Sequence, residues 1–439
     1  MAATPTAGGV MSIVDEMAEN YEPSEIVKAT PGLPDTSDPK QIYGAVALAS
    51  QDTGLDAIAY NEMAGRPYVR GVLPWSRKNE HRPFTDVDFS HFTAYMQYKY
   101  EITKNKMEDV MKIFSYTRKY NPVLDALDAL PDWDNTSDRE RLFIDYLGAA
   151  DTPYTRAVTA LFFNGAVSRA YEPGCKFDYC LVLVGSQGIG KSSLVRALAL
   201  RDEFFLDNLG NLGNKEAAEN LQGRWVVEIA ELASFNKKDA ATIKLFISQQ
   251  YDTYRAPYSR SSEQHPRRCV FVGTTNETGF LKDLTGARRF LPIQCSAQQA
   301  TKDVLDREAL TADIEQAYAQ TLCEYRKEGW LPLVLPHDVA ADALRVQEEY
   351  AAEDAREGLI REWLEPKQTE GSRICILQIQ EEVFNLDRSQ ANNTQGKAMQ
   401  GELRQMLDNK FPGWMRAPKG KRATIPGYGQ QNYWEYHTS

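Results

Sequence analysis

Metal-binding side chains are sparse in this chain. Its 439 residues include five histidines and six cysteines. The histidines are dispersed and no two cysteines form a C-x-x-C pair, so neither a zinc site nor a disulfide framework is expected. Cys180, Cys269 and Cys375 sit in apolar runs and read as buried free thiols of a reducing cytosol. No run of 18 apolar residues occurs, which excludes a membrane-spanning helix. The opening residues, Met1-Ala2-Ala3-Thr4-Pro5, lack the basic patch and apolar core of a signal peptide. A cytoplasmic location with no membrane partner is the expectation. No internal repeat is visible.

What remains is the composition of an ordinary globular protein: 42% hydrophobic, 25% charged. That length accommodates two to four domains. The net charge of −11 does not exclude a polyanionic partner, because the charge is unevenly placed. Residues 301–366 carry 16 acidic and 7 basic side chains, whereas 244–291 carry 8 basic and 4 acidic. From 401 to the end there are 6 basic and 3 acidic. The local field, not the sum, decides polyanion binding.

The most specific local signal is Gly185-Ser186-Gln187-Gly188-Ile189-Gly190-Lys191-Ser192, which completes G-x-x-x-x-G-K-[ST]. It follows the apolar run 180–184 and opens into Ser193 and a helical pattern. Strand, glycine loop and helix form the context a P-loop needs, with backbone N–H groups turned toward phosphate oxygens. In that reading Lys191 reaches the β/γ-phosphates and the Ser192 hydroxyl ligates Mg²⁺. The expected ligands are therefore ATP and Mg²⁺, held by residues 185–193.

Hydrolysis needs an acidic residue at a strand end. The run 223–232 supplies Glu228 and Glu231. Alternation along a strand prevents both from pointing the same way. Glu231, nearer the strand end, is the better base, and Glu228 could hold Mg²⁺ through water; either is otherwise an ordinary ion-paired glutamate. A further strand, 269–275, ends in Asn276, an amide suited to orient water and sense a γ-phosphate. Arg288-Arg289 precede the apolar strand 290–293, as suits a finger that stabilises transition-state charge from a neighbouring subunit. Between the acidic and asparagine strands lie Lys244, Tyr254, Arg255, Tyr258, Arg260 and Arg267. Tyrosines interleaved with arginines on a hairpin can stack on bases and pair with phosphates of single-stranded nucleic acid, or simply form a solvated charged loop.

The pattern along the chain gives four regions. Residues 1–40 read as a poorly ordered start. Residues 41–135 read as an α+β or helical N-terminal domain, with a hairpin at 58–73 and helices near 88–100 and 106–120. Residues 136–335 form the ATPase domain. Residues 336–439 form a helical linker and a small terminal domain. Helices near 376–386 and 395–409, followed by Lys419, Lys421 and Arg422 in a basic two-stranded wing, give the layout of a winged helix. Asp86-Val87-Asp88 with His91 matches a D-x-D metal pattern, but Thr85 or Asp86 is better explained as a helix cap.

With these motifs assembled, the sequence resembles the virulence-associated E family of phage and mobile-element P-loop ATPases, relatives of superfamily-3 helicases and primase-helicases. The resemblance runs from about Ala57 to Ile293. It rests on 173–178, the P-loop, 225–232, 254–258, 271–277 and 285–290. It implies an AAA+-like α/β core and a homo-oligomeric, hexameric ring with ATP between subunits and single-stranded DNA threaded through the centre. It implies Lys191 and Ser192 as Walker A, Glu228/Glu231 as Walker B, Asn276 as sensor, Arg288/Arg289 as finger and 254–260 as pore hairpin. Primase or replication-initiation partners follow from the same resemblance. The expected function is an ATP-dependent DNA helicase. A DNA-binding ATPase acting as initiator or defence switch without unwinding is the alternative.

Overall fold

The structure, a computed structural model, describes residues 38, 40–207, 209, 215–232, 237–254, 262–281, 287–350 and 355–438. These fall into two compact units that divide between positions 351 and 352. Almost all of the stretch expected to be irregular, 1–40, lies outside the described residues.

The first unit opens with α1 (Ile42–Gln51), β1 (Ile58–Asn61), β2 (Arg66–Val72), β3 (Asn79–Pro83), α2 (Asp86–Tyr100), α3 (Met107–Tyr116) and β4 (Lys119–Tyr120). The strands pair in the order β3-β2-β1-β4. The expected hairpin is present, with Ile58 opposite Val69. Its turn contains Gly65 at φ 63°, a left-handed conformation that glycine adopts without steric conflict. Ile58, Val69, Phe92, Met96, Val110 and Phe114 form the core of this lobe. Thr85 caps α2 in a capping box with Asp88. Asp88 also accepts from Arg82 at 2.5 Å and from Trp75 at 3.3 Å. That carboxylate is held within the lobe, pulled well below the ordinary carboxylate range by Arg82 and Thr85 against the effect of burial. Among the described residues no group of three or more His, Cys, Asp and Glu could hold a metal.

The chain continues through α4 (Pro122–Asp128), α5 (Leu142–Leu147), α6 (Pro153–Tyr171), β5 (Cys180–Val184), α7 (Lys191–Ala197), β6 (Phe205–Leu206), α8 (Lys215–Asn220) and β7 (Val226–Ile229). Next come α9 (Lys237–Ile247), β8 (Tyr251–Tyr254), β9 (Glu263–Pro266), β10 (Val270–Thr275), β11 (Phe290–Gln294), α10 (Arg307–Glu328) and α11 (His337–Glu349). Among the described residues five strands make one sheet in the order β11-β5-β10-β7-β6, every neighbouring pair parallel. Alternation along β5 explains why its run is apolar throughout. Leu181 and Leu183 face one hydrophobic cluster, while Cys180, Val182 and Val184 face the other. A parallel sheet covered on both faces requires such strands. Burying each large aliphatic side chain there stabilises by about 2 kcal/mol.

The second unit consists of α12 (Ala355–Leu364), β12 (Arg373–Ile374), α13 (Ile376–Glu382), α14 (Arg388–Asn392), α15 (Thr394–Lys410), β13 (Trp414–Arg416), β14 (Ala423–Ile425), β15 (Gly429–Gln431) and β16 (Trp434–Tyr436). β16 lies between β12 and β13, antiparallel to both. Ile360, Ile379, Leu403, Leu407, Trp414 and Trp434 give the unit a core of its own. No described helix is long and apolar enough to cross a membrane.

Candidate functional site

The site forms at the carboxyl ends of β5, β10 and β7, where a parallel sheet leaves a crevice for ligands. The loop after β5 is pinned on both sides. Gly185 N–H donates to the Thr275 carbonyl (3.1 Å), and Cys295 N–H donates to the Val184 carbonyl (2.7 Å). Gly190 has φ 89°, and a Cβ there would lie 2.8 Å from a methyl of Val304, so both conformation and space require glycine. Ser186, Gln187 and Gly188 are exposed, Ile189 and Gly190 half-buried. The loop is thus anchored at its ends and open at its middle.

Lys191, only 8% exposed, curls back over the loop and donates to the carbonyls of Gly185 (2.7 Å) and Ser186 (2.8 Å). Burial holds its ammonium below the ordinary lysine range, against an opposing pull that includes Glu228. Ser192 and Ser193 are exposed at the start of α7.

Glu228 sits inside β7, 3% exposed, and its Oε1 accepts from both Ser192 Oγ and Thr274 Oγ1, each at 2.6 Å. This is possible because β10 lies between β5 and β7. Thr274, one residue before the end of β10, thereby faces a carboxylate on the next strand. Sequence reasoning did not single out Thr274; its position in the apolar run 269–275 was the available signal. A carboxylate and two hydroxyls together offer oxygen ligands to a hard cation, beside a glycine loop whose middle residues are exposed.

Glu231 does not share this cluster. β7 ends at Ile229, and Glu231 lies exposed two residues on, with φ 54°. A left-handed conformation at a glutamate is uncommon and carries backbone strain. Asn276 is exposed immediately past the tip of β10, whose ladder with β5 ends at Thr275 opposite Val184. Asn276 therefore stands between the glycine loop and the acidic strand.

The arginine pair lies elsewhere. Phe290 aligns with Cys180, so Arg288 and Arg289 sit at the opposite edge of the sheet from the loop that follows Val184. At 3.3 Å per residue the separation along the strands is about 20 Å, beyond the reach of an arginine side chain. Arg288 is exposed; Arg289 donates to Ser248 Oγ (2.5 Å) and lies 4.0 Å from Asp178.

The residues expected to touch nucleic acid divide into three groups. Arg255, Tyr258 and Arg260 lie outside the described residues. Lys244 and Arg267 are 6% and 3% exposed, contrary to the surface position expected from their charge. Arg267 forms a bidentate pair with Asp252 at 2.7 Å and lies over Phe246, so its guanidinium ties the hairpin β8–β9 to α9. Tyr254, 5% exposed, stacks on His265. In the second unit Lys419, Lys421 and Arg422 are exposed in the turn between β13 and β14.

A model of the virulence-associated protein E-like domain matches residues 127–352, just over half of the chain. Among solved structures, the chain is similar to the apo C-terminal region of NrS-1, with 12% identity and a TM-score of 0.45 over 91% of this chain and 99% of that one. An A-form apo structure of the same region aligns at 12% identity and TM-score 0.43, covering 86% and 88%. No curated protein matches significantly.

Proposed function

Because the chain belongs to the virulence-associated protein E-like family, we propose that it is a P-loop ATPase of phage or mobile-element replication that moves along single-stranded DNA as a ring. The observation that carries this reading is the convergence of Ser192, Thr274 and Glu228 beside the loop that Lys191 covers. In an ATP complex Lys191 leaves its two loop carbonyls for the β/γ-phosphates, and residues 185–193 surround the phosphate chain with N–H groups. Mg²⁺, when bound, would be held by Ser192 and Glu228. The ion, when bound there, neutralises charge developing on the phosphate oxygens. Glu231 takes the proton from the attacking water, which Asn276 orients.

Arg288 and Arg289 lie about 20 Å from their own glycine loop, which supports a role at a neighbouring subunit's nucleotide. Arg288, exposed at the sheet edge, is the better finger, and Arg289 positions that edge through Ser248 and Asp178. A homo-oligomeric ring is the assembly in which each interface would complete one site, with the hexamer that the family resemblance implies as its expected size. The second unit reads as a winged helix whose basic turn, Lys419 to Arg422, contacts DNA phosphates.

The direct test is ATP hydrolysis by Lys191→Ala. We expect loss of nucleotide binding and of hydrolysis by at least a hundredfold. Unchanged hydrolysis would contradict the site. Strand displacement on a forked substrate separates a helicase from an ATPase that binds DNA without unwinding it.

A further inference from the structure

Away from the glycine loop, a cavity of about 340 Å³ opens between the N-terminal lobe and the inner face of the β8–β9 hairpin. Its volume falls in the range of small-molecule sites. One wall comes from Tyr60 at the end of β1 and Tyr116 at the end of α3, ring centroids 5.3 Å apart and edge to face. The other comes from Tyr254 and His265, directly stacked at 4.2 Å with planes 19° apart. The register of the hairpin brings these two together: Asp252 pairs with His265 and Tyr254 with Glu263, so all four lie on one face.

Three properties define what this cavity accepts. Its lining includes the rings of Tyr60, Tyr116, Tyr254 and His265, against which a flat π-face could pack. Its charges balance, with Glu62 and Glu263 on one side of the account and Arg224 and Arg268 on the other, while Asp252 is already paired with Arg267. A phosphate therefore has no net positive field to enter. The buried Tyr254 hydroxyl and His265 Nε2 have no hydrogen-bond partner among the described residues, although leaving such groups unpaired is unfavourable by about 1–3 kcal/mol each. Burial pushes the Tyr60 hydroxyl up to about 12 and raises Tyr254 further, so both remain neutral donors at physiological pH.

A neutral, planar group with hydrogen-bonding edges satisfies all three. We propose that this cavity receives a single unstacked nucleobase of the single-stranded DNA along which the protein moves. Aromatic rings that stack an extruded base and polar groups that meet its edge are the general means of holding single-stranded nucleic acid. The inference rests on the strand-binding reading above and adds to it a base-dependent contact separate from the phosphate contacts.

The test uses the full chain and two oligonucleotides of equal length, one of thymidines and one abasic throughout. Wild type is expected to bind the base-bearing strand roughly tenfold more tightly. Tyr60→Leu and His265→Ala should each remove most of that preference while leaving affinity for the abasic strand within about twofold. Tyr60→Phe, which keeps the ring, should retain the preference, and unchanged thermal melting shows that the lobe is intact. If both strands bind equally to wild type, or if the variants keep the preference, the cavity does not hold a base, while the strand-binding reading stands. If wild type binds neither strand, both readings fail.

Discussion

Two glutamates of one short segment meet different fates in this protein. Glu228 is buried between Ser192 and Thr274, and its Oε1 already accepts from both hydroxyls. Glu231 is exposed and held in a left-handed conformation just past the strand. Glu231→Gln should therefore bind ATP normally and hydrolyse it at least a hundredfold more slowly, the scale of lost general-base catalysis. Glu228→Gln should instead raise the Mg²⁺ concentration needed for binding. Fluorescent-nucleotide titration and phosphate release distinguish these outcomes, and normal hydrolysis by Glu231→Gln would reverse the assignment. The strained φ adds a separate prediction. Glu231→Gly should gain about 1 kcal/mol in urea unfolding while losing hydrolysis, because glycine tolerates the conformation and cannot act as the base. A loss of stability would show that the Glu231 side chain holds the turn.

At the scale of elements, the sheet order does what no single strand can. β10 inserted between β5 and β7 brings Thr274 and Asn276 to the same edge as the glycine loop. The loop, the acidic run and the asparagine strand were legible in the sequence because each is a local pattern, a glycine spacing or an apolar run with a polar end. Pairing between strands some 45 residues apart leaves no local mark, so the Ser192–Glu228–Thr274 cluster was not legible. Charge alone misplaced Arg267, since a guanidinium is stable inside when a carboxylate such as Asp252 meets it in bidentate geometry. β3 escaped notice for the opposite reason: as a polar edge strand ending in Pro83 it lacks the apolar alternation that marks buried strands. The basic turn of the second unit is the element whose role is tested most simply. Replacing Lys419, Lys421 and Arg422 by alanine should weaken DNA binding without regard to sequence and reduce the salt dependence, log K against log salt, by roughly two to three. An unchanged slope would mean that the turn does not meet phosphates.

At the scale of the whole molecule, the proposed role of Arg288 ties hydrolysis to assembly. On the proposed function, Arg288, exposed far along the strands from its own glycine loop, would act at a nucleotide bound by another copy. Mixing Arg288→Ala subunits into wild type should then depress hydrolysis more than in proportion to their fraction, whereas an arginine acting within its own subunit would give a straight line. The proposed function is tested most directly by ATP hydrolysis of the full chain with and without single-stranded DNA, with the oligomeric state followed by mass photometry at the same nucleotide conditions. Nucleotide-dependent rings whose hydrolysis rises when DNA is added are the expected result. A steady monomer whose hydrolysis ignores DNA would contradict it.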